Sequence, residues 1–330
     1  MMSIVIDIEH KVWYNISMGN IYDYVFGVSC GQVQVQCCFH DDTKASAGIG
    51  PDLQYNCFAC GAKANNDVTF IKRYFNVGEQ KAISIQRKLD DANRFKPTKN
   101  KLTNEQRQYL NSVGISDEVA DKYFYCQGNG KLIYEHTWNG LPLGTTWFNA
   151  PQLSNWNAGA EKYMYQGIIG GMCTPYDDVL RYDTILITEG EKDMLTAKSL
   201  GIKSAVAKLG GARTPLIGGI NFDNKKVVII YDCDEPGREG AKKDAAYLID
   251  KHACKVKIVD LGLGEKEDLN DYFIKYGHTV QDLYALIKST PDYVVPPEYK
   301  LSKVDKILNN LTPEELQELK NKIKGEQNND

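Results

Sequence analysis

The sequence has no run of eighteen apolar residues, so no transmembrane helix is expected. Its start, MMSIVIDIEHKVW, has no basic segment ahead of the short apolar stretch, so no secretory signal is expected and the cytoplasm is the expected compartment. There is no internal repeat and no Gly-x4-Gly-Lys-[Ser/Thr] loop, which excludes a fused helicase motor from the expectations. A strong charge of one sign is also missing, with 39 Lys and Arg against 43 Asp and Glu. What remains is ordinary globular composition, 42% apolar and 25% charged, in a 330-residue chain long enough for two or three cores. Nine cysteines fall too unevenly for a disulfide framework: five lie between Cys30 and Cys60, while Cys126, Cys173, Cys233 and Cys254 are scattered. Without an export signal, that distribution reads as metal ligation plus isolated thiols.

Charge is more informative locally. From residue 61 to 110 there are 11 Lys and Arg against 5 Asp and Glu, a basic stretch that suits phosphate contact or a solvated helix face. Five segments follow from the patterns. Residues 1–75 hold the cysteine cluster among short β-like runs, VQVQCCF and LQYNCF. Residues 76–102 form a basic, helix-prone segment, AISIQRKLDDANRF, ended by the linker-like KPTKNK around Pro97. Residues 103–182 mix helix and strand, with a helix capped by Thr103 or Asn104 and a hairpin at Asn139-Gly140. In residues 183–290, TILITE, SAVAKL, KVVIIY and KVKIVD are β-branched runs, with helical stretches after the first and third, the alternation of a parallel α/β layer. Residues 291–330 carry two amphipathic helical patterns, the second with a capping box at Thr312 and Glu315. The fold class expected is a multi-domain α/β protein.

Cys37-x2-His40 and Cys57-x2-Cys60, sixteen residues apart, have the spacing of a tetrahedral zinc site on two turns. Gly61 suits the second turn. Three thiolates and one imidazole leave no open position, so the zinc expected is structural. Cys38 and, more remotely, Cys30 compete with Cys37 for the first place; the Cys-x2-His spacing favours Cys37.

Two apolar strands, ILITEGEKDML and VVIIYDCDEPGREG, run straight into carboxylates. Asp232 and Asp234 are two residues apart and share one side of an extended chain, and Glu189 ends the other strand. In parallel sheets such strand ends form the ligand crevice, where these acids offer a hard, oxygen-only site for Mg2+ or Mn2+. Helix caps and first-turn acids also follow strands, but two such clusters on separate strands favour the metal site.

CCFHDDTKAS, YNCFACG and NNDVTFIKRYF together resemble the zinc-binding domain of bacterial and phage DNA primases, through Cys37, Phe39, His40, Cys57, Phe58, Cys60, Gly61, Asp67 and Phe70. Cys38 and Asn66 depart from the family's proline and glycine. EGEKDML and DCDEPGR resemble the TOPRIM domain of DnaG-type primases, topoisomerases and some nucleases, most closely its form in phage primase–helicases. The matching residues are Glu189, Gly190, Glu191, Asp193, Met194 and Leu195, then Asp232, Asp234, Glu235, Gly237 and Arg238. EKEDLNDYF adds Asp268, with Asn270 where some relatives carry aspartate, and KYMYQG singles out Lys162.

The resemblance implies a small zinc ribbon, a primase core with a TOPRIM layer, and C-terminal helices. It implies primer synthesis by metal-dependent nucleotidyl transfer, with one Zn2+ and two or more Mg2+ or Mn2+ ions. Glu189, Asp232 and Asp234 are then the metal ligands, Glu189 also a candidate base, and Asp193 and Asp268 supporting acids. Lys162, Lys208, Arg213 and Arg238 are expected at nucleotide or DNA phosphates, the Lys208-Leu-Gly-Gly turn through its amides as well. Phe39, Tyr55 and Phe58 either stack on template bases or fill a small core. Partners implied are single-stranded DNA, ribonucleoside triphosphates and a replicative helicase, unless the C-terminal helices pack on their own chain. A TOPRIM nuclease and a non-catalytic replication or recombination adaptor are the alternative functions.

Overall fold

The computed structural model describes residues 20–28, 32–94 and 98–297. Helix α1 (Ile21–Phe26) opens on an Asn20 capping box. Strands β1 (Val33–Val35), β2 (Ala47–Ile49), β3 (Tyr55–Cys57) and β4 (Lys63–Ala64) follow as an antiparallel meander, which one face of α2 (Asp67–Phe75) covers with Phe70, Ile71, Tyr74 and Phe75. Asn66, the departure from the family's glycine, is the N-cap of α2 and accepts the Thr69 amide at 2.8 Å. The basic helix α3 (Glu79–Arg94) then lies against the second sheet.

That second sheet is antiparallel: β5 (Lys99–Asn100), β6 (Phe124–Gln127), β7 (Leu132–Trp138), β8 (Leu141–Phe148) and β9 (Tyr163–Gln166). The KPTKNK stretch read as a linker supplies β5, a two-residue edge strand whose lysine discourages further pairing. Asn139 and Gly140, both at positive φ, make the expected β7–β8 turn. Helices α4 (Asn104–Ser112), capped by Thr103, and α5 (Asp117–Tyr123) pack beside it.

The third sheet is the expected α/β layer. Strands β11 (Thr184–Thr188), β12 (Ala205–Lys208), β13 (Lys226–Ile230) and β14 (Lys255–Ile258) are parallel in the order 12-11-13-14. It also draws in β10 (Cys173–Thr174), antiparallel against β12 and upstream of residue 183, too short for its pattern to be read. Helices α6 (Tyr176–Arg181), α7 (Glu191–Ser199), α8 (Glu235–His252), α9 (Leu269–Ile274) and α10 (Val280–Ser289) complete the layer. The expected helices beyond residue 300 lie outside the described residues.

The three sheets share their packing. A ladder of aromatic rings runs from Phe70 through Tyr74 to Trp138 and on to Tyr176, with centroids 5.8, 5.7 and 5.0 Å apart. It links the meander, the second sheet and the α/β layer, and all four residues are fully buried. Beneath the α/β layer, Lys208 is 1% exposed; its ammonium contacts Asp244 at 2.6 Å and the Ala212 carbonyl at 3.2 Å. Asp244 accepts two further bonds, from the Tyr231 hydroxyl and the Leu216 amide. This pair ties β12 to α8 and leaves no bare charge. Lys208→Met strands the Asp244 carboxylate and is expected to cost about 3–5 kcal/mol, measured by urea unfolding.

Candidate metal centre and acidic crevice

Cys37, His40, Cys57 and Cys60 converge, with ligand atoms all within 4.8 Å of one another, the one such cluster among the described residues. The Cys37 and Cys60 sulfurs are 3.7 Å apart, and Cys57 Sγ lies 4.0 Å from His40 Nδ1. Amides turn onto the sulfurs as thiolate ligation requires: Phe39 N–H donates to Cys37 and Cys60 N–H to Cys57. Burial opposes ionisation of Cys57, yet the Cys60 and Ala59 amides and the Ser46 hydroxyl bring its pKa down to about 6. The cluster takes Cys37; Cys38 packs against the apolar core instead. Tyr55 is buried and donates its hydroxyl to Cys37 Sγ at 2.9 Å, and Phe39 sits edge-on to Tyr55 and Phe70. Tyr55 is therefore core, and Phe39 packs half-buried against it with Arg73 over its ring. Phe58, between two of the ligands, is 78% exposed. Cys57→Ser is expected to lose the metal, read as zinc equivalents by elemental analysis, and to lower the melting temperature.

The acids gather at the carboxyl ends of the parallel strands. Glu189 follows β11, and its Oε1 accepts the Ala212 amide at 3.0 Å, so the Gly-Gly turn after β12 spends an amide on Glu189 rather than on a phosphate. Its other oxygen, Oε2, is buried with no partner. Asp232 and Asp234 follow β13. Asp234 is the N-cap of α8, accepting the Gly237 amide at 2.7 Å with Oδ1, which leaves Oδ2 for a ligand. A Cβ at Gly237 would lie 2.3 Å from the Asp232 carbonyl, so only glycine lets α8 start this close to the strand.

Burial first, then Glu189, Asp268 and Asp234, push the Asp232 carboxyl up to about 7. Glu189 is raised by burial and by Asp234, and Asp193 by burial and by Asp268. A cation pairs directly with one of these acids. Lys192, at the start of α7, contacts Asp268 at 2.8 Å; burial opposes its charge, but Asp193 and Asp268 outweigh it. Sequence reasoning gave Lys192 no role although it lies inside EGEKD. Asp193 accepts the Asn270 amide at 2.9 Å, and the Asn270 side chain is spent on Val113 and Thr196, a structural assignment for that position.

Beside Lys192 opens a cavity of about 390 Å³ lined by Tyr109, Asn149, Trp156, Lys162 and Lys192 among others. Lys162 lines this cavity near Asp268 and Asp193, whereas the Lys208 ammonium is buried against Asp244. Trp156, unremarked in the sequence for want of any periodic pattern, is 47% exposed on a loop whose ends Asn149 staples together. Arg238 is exposed and 3.4 Å from Glu265, lining a second cavity that reaches Asp232. Arg213 is exposed, with no ion-pair partner among the described residues.

These features define a Toprim-like segment in the chain: the Toprim-like family model matches residues 186–273. A UPF0292 protein of Pyrococcus abyssi is 32% identical over 127 residues, 37% of this chain and 88% of its own length. A DNA primase of Legionella pneumophila is 20% identical across 64% of this chain, which spans about half (48%) of that primase's length. Among solved structures, the zinc-binding and RNA polymerase domains of the Aquifex aeolicus primase cover 83% of this chain and 84% of that one, at 18% identity and a TM-score of 0.47. The match to the Legionella pneumophila primase extends beyond the Toprim-like segment. Among the described residues no helix is long and apolar enough to cross a membrane.

Crowding among the acids sets a pH dependence. An unfolded aspartate ionises near 3.9, whereas folded Asp232 titrates near 7, so between these values the folded state binds more protons. Stability from this group is therefore present at low pH and lost as pH rises through 7. In Mg2+-free buffer, the melting temperature is expected to fall from pH 6 to pH 8, and Asp232→Asn to flatten that slope.

Proposed function

We propose that the chain is a DNA primase of the DnaG or phage type, joining ribonucleotides on a single-stranded DNA template, with the acidic crevice as its site of nucleotidyl transfer. The observation that carries this reading is the buried, unpartnered Oε2 of Glu189 beside Asp232, both carboxyls raised by burial and by neighbouring acids. Oxygen-only donors with an orphaned carboxylate oxygen fit a hard divalent cation. Glu189, Asp232 and the open oxygen of Asp234 would hold it, with Asp193 and Asp268 behind them. A cation bound there would lower the pKa of an attacking 3′-hydroxyl and offset the charge of a triphosphate.

The residues around the crevice suit the remaining tasks. Lys162 and Lys192 would hold phosphate oxygens in the adjoining cavity, and Trp156 offers a nucleobase an aromatic face. Arg238 and Arg213, both exposed, suit the path of the template backbone. Glu189, raised by burial, would take the proton of the attacking hydroxyl. The Cys37, His40, Cys57 and Cys60 cluster would hold one structural Zn2+, keeping the meander rigid and Phe58 turned out towards the template. A replicative helicase is the proposed partner of the segment beyond residue 300.

The test is direct. Zinc-loaded protein, single-stranded DNA of mixed sequence, labelled ribonucleotides and Mg2+ should yield short RNA, and Asp232→Ala should reduce it at least ~100-fold. DNA cleavage in place of synthesis, or no RNA product from the unaltered chain, would overturn the reading.

A further inference from the structure

A buried polar chain crosses the seam between the second sheet and the α/β layer. His136 on β7 is fully buried, with both ring nitrogens engaged: Nδ1 lies 3.0 Å from Thr174 Oγ1 and Nε2 lies 2.7 Å from Thr146 Oγ1. Thr146 in turn donates to Glu191 Oε1 at 2.8 Å, and the Tyr134 hydroxyl is 3.1 Å from Thr174. Tyr134, Thr174 and Thr146 are fully buried and Glu191 is 5% exposed. No solvent can replace a lost partner at this depth, so every member has to be satisfied from within.

The donors can be ordered. The Thr146 proton goes to Glu191, so Thr146 Oγ1 accepts from His136, which places the imidazole proton on Nε2. Nδ1 is then the acceptor for the Thr174 hydroxyl, which accepts from Tyr134 in its turn. Burial holds the imidazole pKa near 3, in keeping with a neutral ring. All donors thus point one way, from Tyr134 towards Glu191. Glu191 is the first residue of α7, directly after the Glu189-Gly190 turn, and Gly190 itself has no side chain to cap the helix.

We propose that His136, as the neutral Nε2–H tautomer, is a positioning residue: through Thr146 it anchors Glu191 and so fixes the turn that aims Glu189 into the acidic crevice. The role of the turn rests on the metal-binding reading of that crevice, whereas the tautomer and the bond chain do not.

Two measurements on the full zinc-loaded chain separate these. Nitrogen-15 NMR of histidine-labelled protein at pH 7, with the His136 signals identified by their loss in His136→Gln, should find a neutral ring protonated at Nε2; a charged ring or an Nδ1–H tautomer overturns the chain of bonds. Mn2+ titration followed by electron paramagnetic resonance should find His136→Leu and Thr146→Val binding about tenfold more weakly. His136→Gln, which keeps a donor and an acceptor, should bind within about threefold of the unaltered protein. Equal Mn2+ affinity in His136→Leu, or failure of His136→Gln to rescue it while still folded by circular dichroism, overturns the positioning role. An unaltered chain that binds no Mn2+ overturns the crevice reading and the positioning role together, and leaves the NMR result standing as the test of the bonds.

Discussion

Mutual repulsion among carboxylates at the ends of β11 and β13 is the constraint around which the α/β layer is arranged. Asp268 raises the pKa values of Asp232 and Asp193, Glu189 adds to the rise at Asp232, and Lys192 is a cation drawn among them. Packing alone gives no reason to collect acids there, since they pay desolvation with only Asp268 in a direct ion pair, to Lys192. Local structure accepts the strain by small concessions. Gly237 admits the start of α8 beside the Asp232 carbonyl, the turn after β12 lends an amide to Glu189, and Asp234 and Asp268 double as helix caps. A divalent cation would relieve the repulsion at its source, which is why the crowding itself points to one.

The rest of the molecule holds that crevice in register. Buried pairs such as Lys208–Asp244 tie the sheet to α8 from below, and the Phe70–Tyr74–Trp138–Tyr176 ladder joins the meander to the layer. The Cys–His cluster is therefore mounted on the same apolar core as the acids rather than on a loose tether. An aromatic core of this kind deforms little, so the exposed Phe58 and the crevice keep a defined relation.

Much of this was legible in the chain. The Cys-x2-His and Cys-x2-Cys spacings led to the observed cluster, and four β-branched runs became the four parallel strands, because local spacing and strand period are written in contiguous residues. What stayed hidden depends on tertiary neighbours. Lys208 read as a phosphate contact because nothing near it in sequence reveals Asp244, 36 residues on. Tyr55 read as a possible stacking surface, yet its hydroxyl serves Cys37 from 18 residues away. Trp156 and His136 carry no motif, and Lys192 sits at an unassigned place within one; their roles exist only once three sheets meet.

Anomalous diffraction from crystals soaked in Mn2+ tests the central claim most directly. The account predicts a manganese peak within coordination distance of Glu189 Oε2 and Asp232, about 2.2 Å from their oxygens. Crystals saturated with Mn2+ that place no peak at these carboxylates would contradict it.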